Sequence, residues 1–376
     1  MKTLQLIWNK GEWKNSESAS RLDGPSTLVL LFGSYVSEAF SALHSLLPNS
    51  QFIGCTTSGE ISDRAVLDNA LIATIIYFEK SQIKRVSASI NSCDGDSYKL
   101  GQVVAEELMQ LPKLRHVFLL SDGMEVNGGY LLEGFQSILP DAVKVTGGLA
   151  GDGERFQETT VYAGFESQAG LVVAIGLYGE ALNVSYGSRG GWCAFGMERR
   201  VTRSEHNVLY ELDEDSALSI YRSYLGELAG ELPASGLRFP LEITDPQKST
   251  QVVRTLLGIN EDDGTITFAG NIPRGVTARL MRANVDSLID GAQEAAEVCR
   301  RYIDDSPDVA ILISCVGRKI LLKQLADDEV EAVKAELGGN TLLCGFYSYG
   351  EIAPFDQQSS SELHNQTMTI TAFSED

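Results

Sequence analysis

The fold is decided by three adjacent stretches: "LVLLFG" at 28–33, "SYVSEAFSALHSLLP" at 34–48 and "QFIGCTTSGEI" at 51–61. An apolar run ends in glycine. A helical stripe follows, and a second apolar run ends in a small, polar, glycine-bounded loop. Short continuous apolar runs read as strands buried on both faces. Val36, Phe40, Leu43 and Leu47 recur at helical spacing, so the middle segment reads as a helix with one buried face. Strand, helix, strand is a β-α-β unit, whose strands run parallel through a right-handed crossover.

The same script is written twice more. "HVFLLSDGM" (116–124), "NGGYLLEGFQSILP" (127–140) and "VKVTGGLAGDG" (143–153) repeat it, with Asn127 as helix N-cap and Pro140 past the helix end. "VAILISCVGR" (309–318), "ADDEVEAVKAEL" (326–337) and "TLLCGFYSYGEI" (341–352) repeat it again, with Gly338 and Gly339 closing the helix. Between the units, "ALIATIIYFE" (70–79) with "KRVSASI" (84–90), "AGLVVAIGLYG" (169–179) with "ALNVSYGS" (181–188), and "GTITFAG" (264–270) with "TARLMRA" (277–283) read as three antiparallel hairpins. "QTMTITAF" (366–373) reads as a terminal strand. Two further helices are expected at 215–230, capped by Asp213 or Asp215, and at 285–305. The fold class is therefore α/β of the mixed α+β kind: β-α-β units with buried strands plus antiparallel hairpins. "SRGGWCAFGMERRVTRSE" (188–205) breaks the pattern with glycine and charge, which places two related domains at about 1–195 and 200–376.

The chain has 376 residues, 43% of them hydrophobic, enough for two ordinary cores. Lys and Arg total 30 against 51 Asp and Glu, a formal net charge of −21. That field repels phosphate backbones and anionic lipid, so neither nucleic acid nor a membrane surface is an expected partner. No apolar run reaches the length of a spanning helix, and the N-terminus lacks a signal-peptide core, so a cytoplasmic location is expected. The six cysteines (55, 93, 193, 299, 315, 344) lack ligand spacing and read as reduced, mostly buried hydrophobes.

The octapeptides "GCTTSGEI" (54–61) and "GFYSYGEI" (345–352) share their glycines, hydroxyls and Glu-Ile in one register. Both fall at carboxyl ends of predicted parallel strands, where α/β ligands bind. Each offers bare backbone amides, a hydroxyl and one carboxylate. Gly54, Thr57, Ser58 and Glu60, and Ser348, Gly350 and Glu351, are thus candidate ligand-binding residues for a small polar molecule carrying an amine; turn and cap duty is the plain alternative. Ser121, Asp122, Asn127 and Asp152 bracket the ends of the middle unit and join them, again with turn and cap duty as the alternative. Arg318, after a buried strand, could take a carboxylate bidentately or pair with an acid of the chain itself. No phosphate-loop motif is present in the right context. Cys315 as a nucleophile acting with Glu351 or Glu60 on a small amide or ester would need a depressed thiol pKa. Among the four histidines no pair has metal spacing, but one axial histidine suffices for haem. His116, His206 and His364 are the candidates, and core packing is the alternative for each.

Through "GCTTSGEI", "SDGMEVNG" and "GGLAGDG" the chain resembles the N-terminal part of the FIST family of bacterial sensory proteins. Through "VTRSEHNVLYELDEDSALSIY", "SCVGR", "GFYSYGEIAP" and "LHNQTMTI" it resembles the C-terminal part. The resemblance implies a small-ligand sensor in signal transduction, with amino acids as a candidate ligand class. Members often carry fused output domains. Their absence here implies a separate signalling partner. Length and architecture resemble the nitric oxide sensing members, which implies haem as cofactor and a histidine kinase as partner in two-component regulation. A scaffold that docks a basic partner without any ligand is the remaining class.

Overall fold

In the computed structural model, which describes residues 1–245, 250–303 and 306–376, each expected parallel pair is present. Thr27–Gly33 lies parallel to Gln51–Cys55, Leu114–Ser121 to Lys144–Leu149, and Val309–Cys315 to Leu342–Ser348. The connecting helices are Ser37–Leu46, Gly128–Ile138 and, after a short preceding helix at Val316–Leu322, Ala326–Leu337. Asn127 caps the second by accepting Tyr130 N–H at 3.0 Å, and Gly338 ends the third with φ 102°.

Each pair is the middle of a sheet built to one plan. On one side stand two antiparallel strands: Leu71–Tyr77 then Lys2–Asn9, Leu171–Tyr178 then Gln82–Ser89, and Met368–Glu375 then Leu182–Arg189. On the other side stands a hairpin, and it always belongs to a different unit. The first unit's hairpin, Glu60–Ser62 with Ala65–Leu67, extends the third unit's sheet through Cys344–Phe346. The third unit's hairpin, Gly350–Pro354 with Ser361–His364, extends the second unit's sheet through Gly147–Leu149. The second unit's hairpin, Val161–Ala163 with Glu166–Gln168, extends the first unit's sheet through Ile53–Cys55. The three units therefore exchange strands in a cycle.

One glycine per unit sets how closely its two parallel strands approach. A Cβ at Gly54, Gly147 or Gly345 would lie 2.0, 1.8 or 1.7 Å from the carbonyl oxygen of Leu31, Leu119 or Leu312 on the parallel neighbour. Only glycine permits that backbone approach. The alternation of each buried strand then divides its side chains between two cores. Leu30, Phe32, Phe118, Leu120, Ile311, Ile313 and Phe346 turn inward to a core shared by all three sheets. Val29 and Leu31 turn outward to Phe40 and Leu43, Val117 and Leu119 to Leu131 and Phe135, and Leu312 and Leu343 to Val330 and Ala292. Two-sided burial explains why these strands read as unbroken apolar runs.

The chain leaves this body after Arg189 and builds a nine-stranded sheet that includes Arg199–Glu205, Val208–Leu212, Leu241–Asp245, Thr265–Phe268 and Thr277–Arg282, with its own core around Tyr221, Ile266 and Phe268. Strands from both sides of residues 195–200 share two of the three sheets of the body, those of the second and third units, whereas the first unit's sheet is drawn from residues 2–168 alone.

The hairpins expected from chain proximity are not formed. Leu71–Tyr77 and Gln82–Ser89 stand in different sheets, as do Leu171–Tyr178 and Leu182–Arg189, while Thr265–Phe268 pairs with Val208–Leu212 and not with Thr277–Arg282. Connecting strands that carry the chain from one sheet to the next have the same composition as a hairpin. The helix expected at 215–230 runs Ala217–Leu225 and is capped by Ser216, not by Asp213 or Asp215. The one expected over 285–305 runs Val285–Arg300, and positions 304 and 305 lie outside the described residues.

Candidate functional site

The loops that follow the second strand of each unit meet one another. Ser58 N–H donates to Tyr347 O at 2.8 Å, and Tyr347 N–H returns to Gly59 O at 2.9 Å. Gly151 N–H donates to Thr56 O at 3.0 Å. Ser58 Oγ accepts from Gly153 N–H at 3.1 Å and donates to Gly153 O at 3.2 Å. The Tyr349 hydroxyl donates to Asp152. Asp152 also accepts the N–H groups of Phe156, Gln157 and Glu158 at 2.9–3.1 Å. Desolvation raises its pKa, but the Tyr349 hydroxyl and these amides outweigh it and hold the carboxyl below its ordinary value.

Here the repeated octapeptide has a structural role. Glu60 accepts from Thr57 Oγ1 at 2.5 Å and from Ala70 N–H at 3.0 Å. Glu351 accepts from Ser348 Oγ at 2.9 Å and from Thr367 N–H and Oγ1 at 3.2 and 2.9 Å. Ala70 and Thr367 stand just before Leu71–Tyr77 and Met368–Glu375, the antiparallel strands that return beside each parallel pair. Each glutamate therefore clasps the departing loop to the returning strand. In the second unit Val161 holds the equivalent pairing position, so that unit lacks the carboxylate. Burial pushes both carboxyls up, Glu351 to about 8 against the pull of Ser348 and Thr367.

The two loops differ in access. Thr57, Ser58 and Glu60 line a cleft of about 830 Å³, together with Asp68, Asp152, Arg155, Lys319, Lys323 and Asp327. Ser348, Gly350 and Glu351 are buried in the body. The structure thus brings Thr57, Ser58, Glu60 and Asp152 together and leaves the second octapeptide's residues apart from them. Gly54 lies within its strand against Leu31. Ser121 donates to the Asp122 carbonyl, and Asp122 is enclosed, accepting from Met124 and Glu125 N–H and from Thr159 Oγ1. Asn127 is spent on its helix cap.

Arg318 is not free for a ligand. Nε and Nη2 donate to Glu329 Oε2 at 3.0 and 2.5 Å, Nη1 to Gly190 O at 2.6 Å, and Nη2 to Leu288 O at 2.7 Å, all in the interior. The residue that reaches the cleft is its neighbour. Positions 318 and 319 lie about 100° apart on the helix. Arg318 shares the inward face with Leu322, whereas Val316, Lys319, Ile320 and Lys323 face the cleft. Lys319 Nζ donates to Ser58 O at 2.8 Å, pairs with Asp68, and stands 5.6 Å from the Tyr347 ring centre. A Cβ at Gly59 would meet Nζ at 2.3 Å, so this glycine keeps the lysine's place open. Reading the i, i+4 pair Arg318 and Leu322 as one face would have selected Lys319 from the sequence.

Burial pushes the Cys315 thiol up to about 12, with Glu351 adding to the shift. The reading of Cys315 as a nucleophile required the opposite.

The histidines separate clearly as candidates for iron. His116 is enclosed, with Nε2 on Thr146 Oγ1 at 2.8 Å and Nδ1 on the Tyr186 hydroxyl at 3.2 Å, and burial lowers its pKa to about 3. Both ring nitrogens are engaged, so it does not fit. His206 sits on an exposed turn at φ 50° with Nδ1 on the Tyr130 hydroxyl, and it does not fit either. His364 is different. Nε2 is 2.8 Å from the Ala353 carbonyl and must carry the proton, leaving the Nδ1 lone pair buried and without a partner among the described residues. Burial lowers its pKa to about 4, so the ring is neutral. A neutral imidazole oriented through one nitrogen with the other free is the form that ligates metals.

The FIST N domain family model matches residues 27–215, and the FIST C domain model matches residues 217–354. The chain belongs to the FIST family. FIST domains are small-ligand sensory domains of signal transduction, and both frame the cleft. Thr57, Ser58, Glu60 and Asp152 come from the N domain, and Lys319, Lys323 and Asp327 from the C domain. No curated protein matches the chain. No helix among the described residues is long and apolar enough to cross a membrane.

Proposed function

We propose that this FIST protein senses a zwitterionic small molecule of the amino-acid class, bound in the cleft between the Thr57–Glu60 loop and Lys319. It passes occupancy to a separate signalling partner such as a histidine kinase. The observation that carries the reading is the meeting of both charge signs in one cleft, with Lys319, Lys323 and Arg155 facing Asp68, Asp152 and Asp327. A ligand carboxylate would take Lys319 from the exposed side chain of Asp68, and a ligand amine would face Asp152 and Asp327. Because the walls come from both family domains, a ligand gripping both favours the arrangement that grips it best, which is the requirement for a signal. Calorimetric titration with a panel of amino acids tests this. A binder lost in Lys319→Ala supports it, and no binding across the panel refutes it.

One observation favours a second reading, haem-based nitric oxide sensing: the free Nδ1 of neutral His364. The ring lines a cleft of about 430 Å³ with Trp192, Val253, Met281 and Phe355. His364 would hold the group, and bound haem would supply the iron that takes nitric oxide. An absorption spectrum of the haem-titrated protein tests it. A Soret band that shifts with the gas and disappears in His364→Ala supports it, and no band at equimolar haem refutes it.

A further inference from the structure

The polar cleft does not end at Lys319. Ile320, Lys323, Gln324 and Glu154 line it and also line a second cleft, of about the same 830 Å³, on the far side of the same helical turn. The second is the more apolar of the two, with Leu237, Val285, Leu288, Leu321 and Leu325 in its walls and the charged Glu231 and Arg238 beside them. Leu325 is 43% exposed on a molecule of net charge −21. The ridge between the clefts is apolar at Ile320. At Lys323 the backbone is held at φ 55° and ψ −117°, a conformation that side-chain-bearing residues avoid and that concentrates at ligand sites.

A free amino acid fills a small part of this space, since cavities of roughly 300–1,000 Å³ each accommodate drug-sized ligands. Charge on one side of the ridge and leucines on the other match a molecule with the same division. We infer that the ligand is amphipathic: a zwitterionic head lies against Lys319 and the Thr57–Glu60 loop, and an unbranched apolar chain crosses Ile320 into the leucine-lined cleft. This rests on the reading that the polar cleft takes the head.

The test is a homologous series with a constant head: 2-aminobutyrate, norleucine, 2-aminooctanoate and 2-aminodecanoate, titrated calorimetrically into the full chain. Kd should fall roughly fourfold for each methylene that enters the leucine cleft. Leu325→Glu alters an exposed side chain. It should flatten that dependence while leaving 2-aminobutyrate binding unchanged, and Leu321→Ser should reduce the same slope. If all four bind with one Kd, the amphipathic ligand is refuted and the zwitterion site stands. If the slope survives in Leu325→Glu, the chain lies elsewhere and the inference falls. If no member binds, the site itself falls with it.

Discussion

Replacing Arg318 by Met tests how the cleft is held in shape. The guanidinium spends three nitrogens on Glu329, Gly190 O and Leu288 O, and neither it nor Glu329 has any exposed side-chain surface. Glu329 is further bound by Ser314 Oγ and the Tyr347 hydroxyl, each at 2.9 Å. Methionine fills much of the volume but leaves the Glu329 carboxylate buried with two neutral donors and takes the guanidinium donor away from two carbonyls. Breaking a buried pair on one side costs about 3–5 kcal/mol. That is a large part of the roughly 5–15 kcal/mol that usually separates folded from unfolded. Lysine should not rescue the loss, because one ammonium cannot span the carboxylate and both carbonyls as the planar fork does. Urea unfolding with an unchanged m-value measures the difference. The double variant Arg318→Met with Glu329→Gln should recover part of it, since no buried charge remains. A loss below about 1 kcal/mol for Arg318→Met, or full rescue by Arg318→Lys, would refute this view of the helix that presents Lys319.

Three other outcomes follow from the same geometry. Glu351 titrates at about 8 in the folded chain against an ordinary 4.5, so between those values the folded state keeps a proton that the unfolded state has released. Its stabilising contribution is complete below 4.5 and lost as pH rises through 8, at up to about 1.4 kcal/mol per pH unit; unfolding of Glu351→Gln across that window should lack the slope. Asp68→Ala removes the exposed carboxylate that competes for Lys319, so amino-acid affinity should rise by up to about fivefold, the range of an exposed ion pair, as read by calorimetry. Gly345→Ala places a methyl 1.7 Å from the Leu312 carbonyl oxygen at φ 154°, and should cost roughly 2–3 kcal/mol or more in urea unfolding.

Much of this fold was legible in the sequence because its signals are local. The buried strands announced themselves as apolar runs, Phe40 and Leu43 marked a helix face, and Asn127 and Gly338 marked helix ends. Strand partners were not legible. Leu71–Tyr77 and Gln82–Ser89 are neighbours in the chain, yet their partners come from different units, a choice made by long-range packing that composition does not record. The repeated Gly-Glu-Ile loops were visible but carried two meanings. Thr57 and Ser348 clasp their glutamates in the same way, and only the tertiary position sets the first loop against the cleft and encloses the second. The choice between Arg318 and Lys319 turned on where the helix begins. A one-residue shift in helical phase exchanges interior and cleft.

Hydrogen exchange read by mass spectrometry, with and without a saturating amino-acid ligand, locates the bound ligand on the chain. New protection is expected in segments 57–70, 152–160 and 316–327, lost in Lys319→Ala. Protection confined to 188–193 and 361–367, around His364, with no change at the Thr57–Glu60 loop, would contradict binding there.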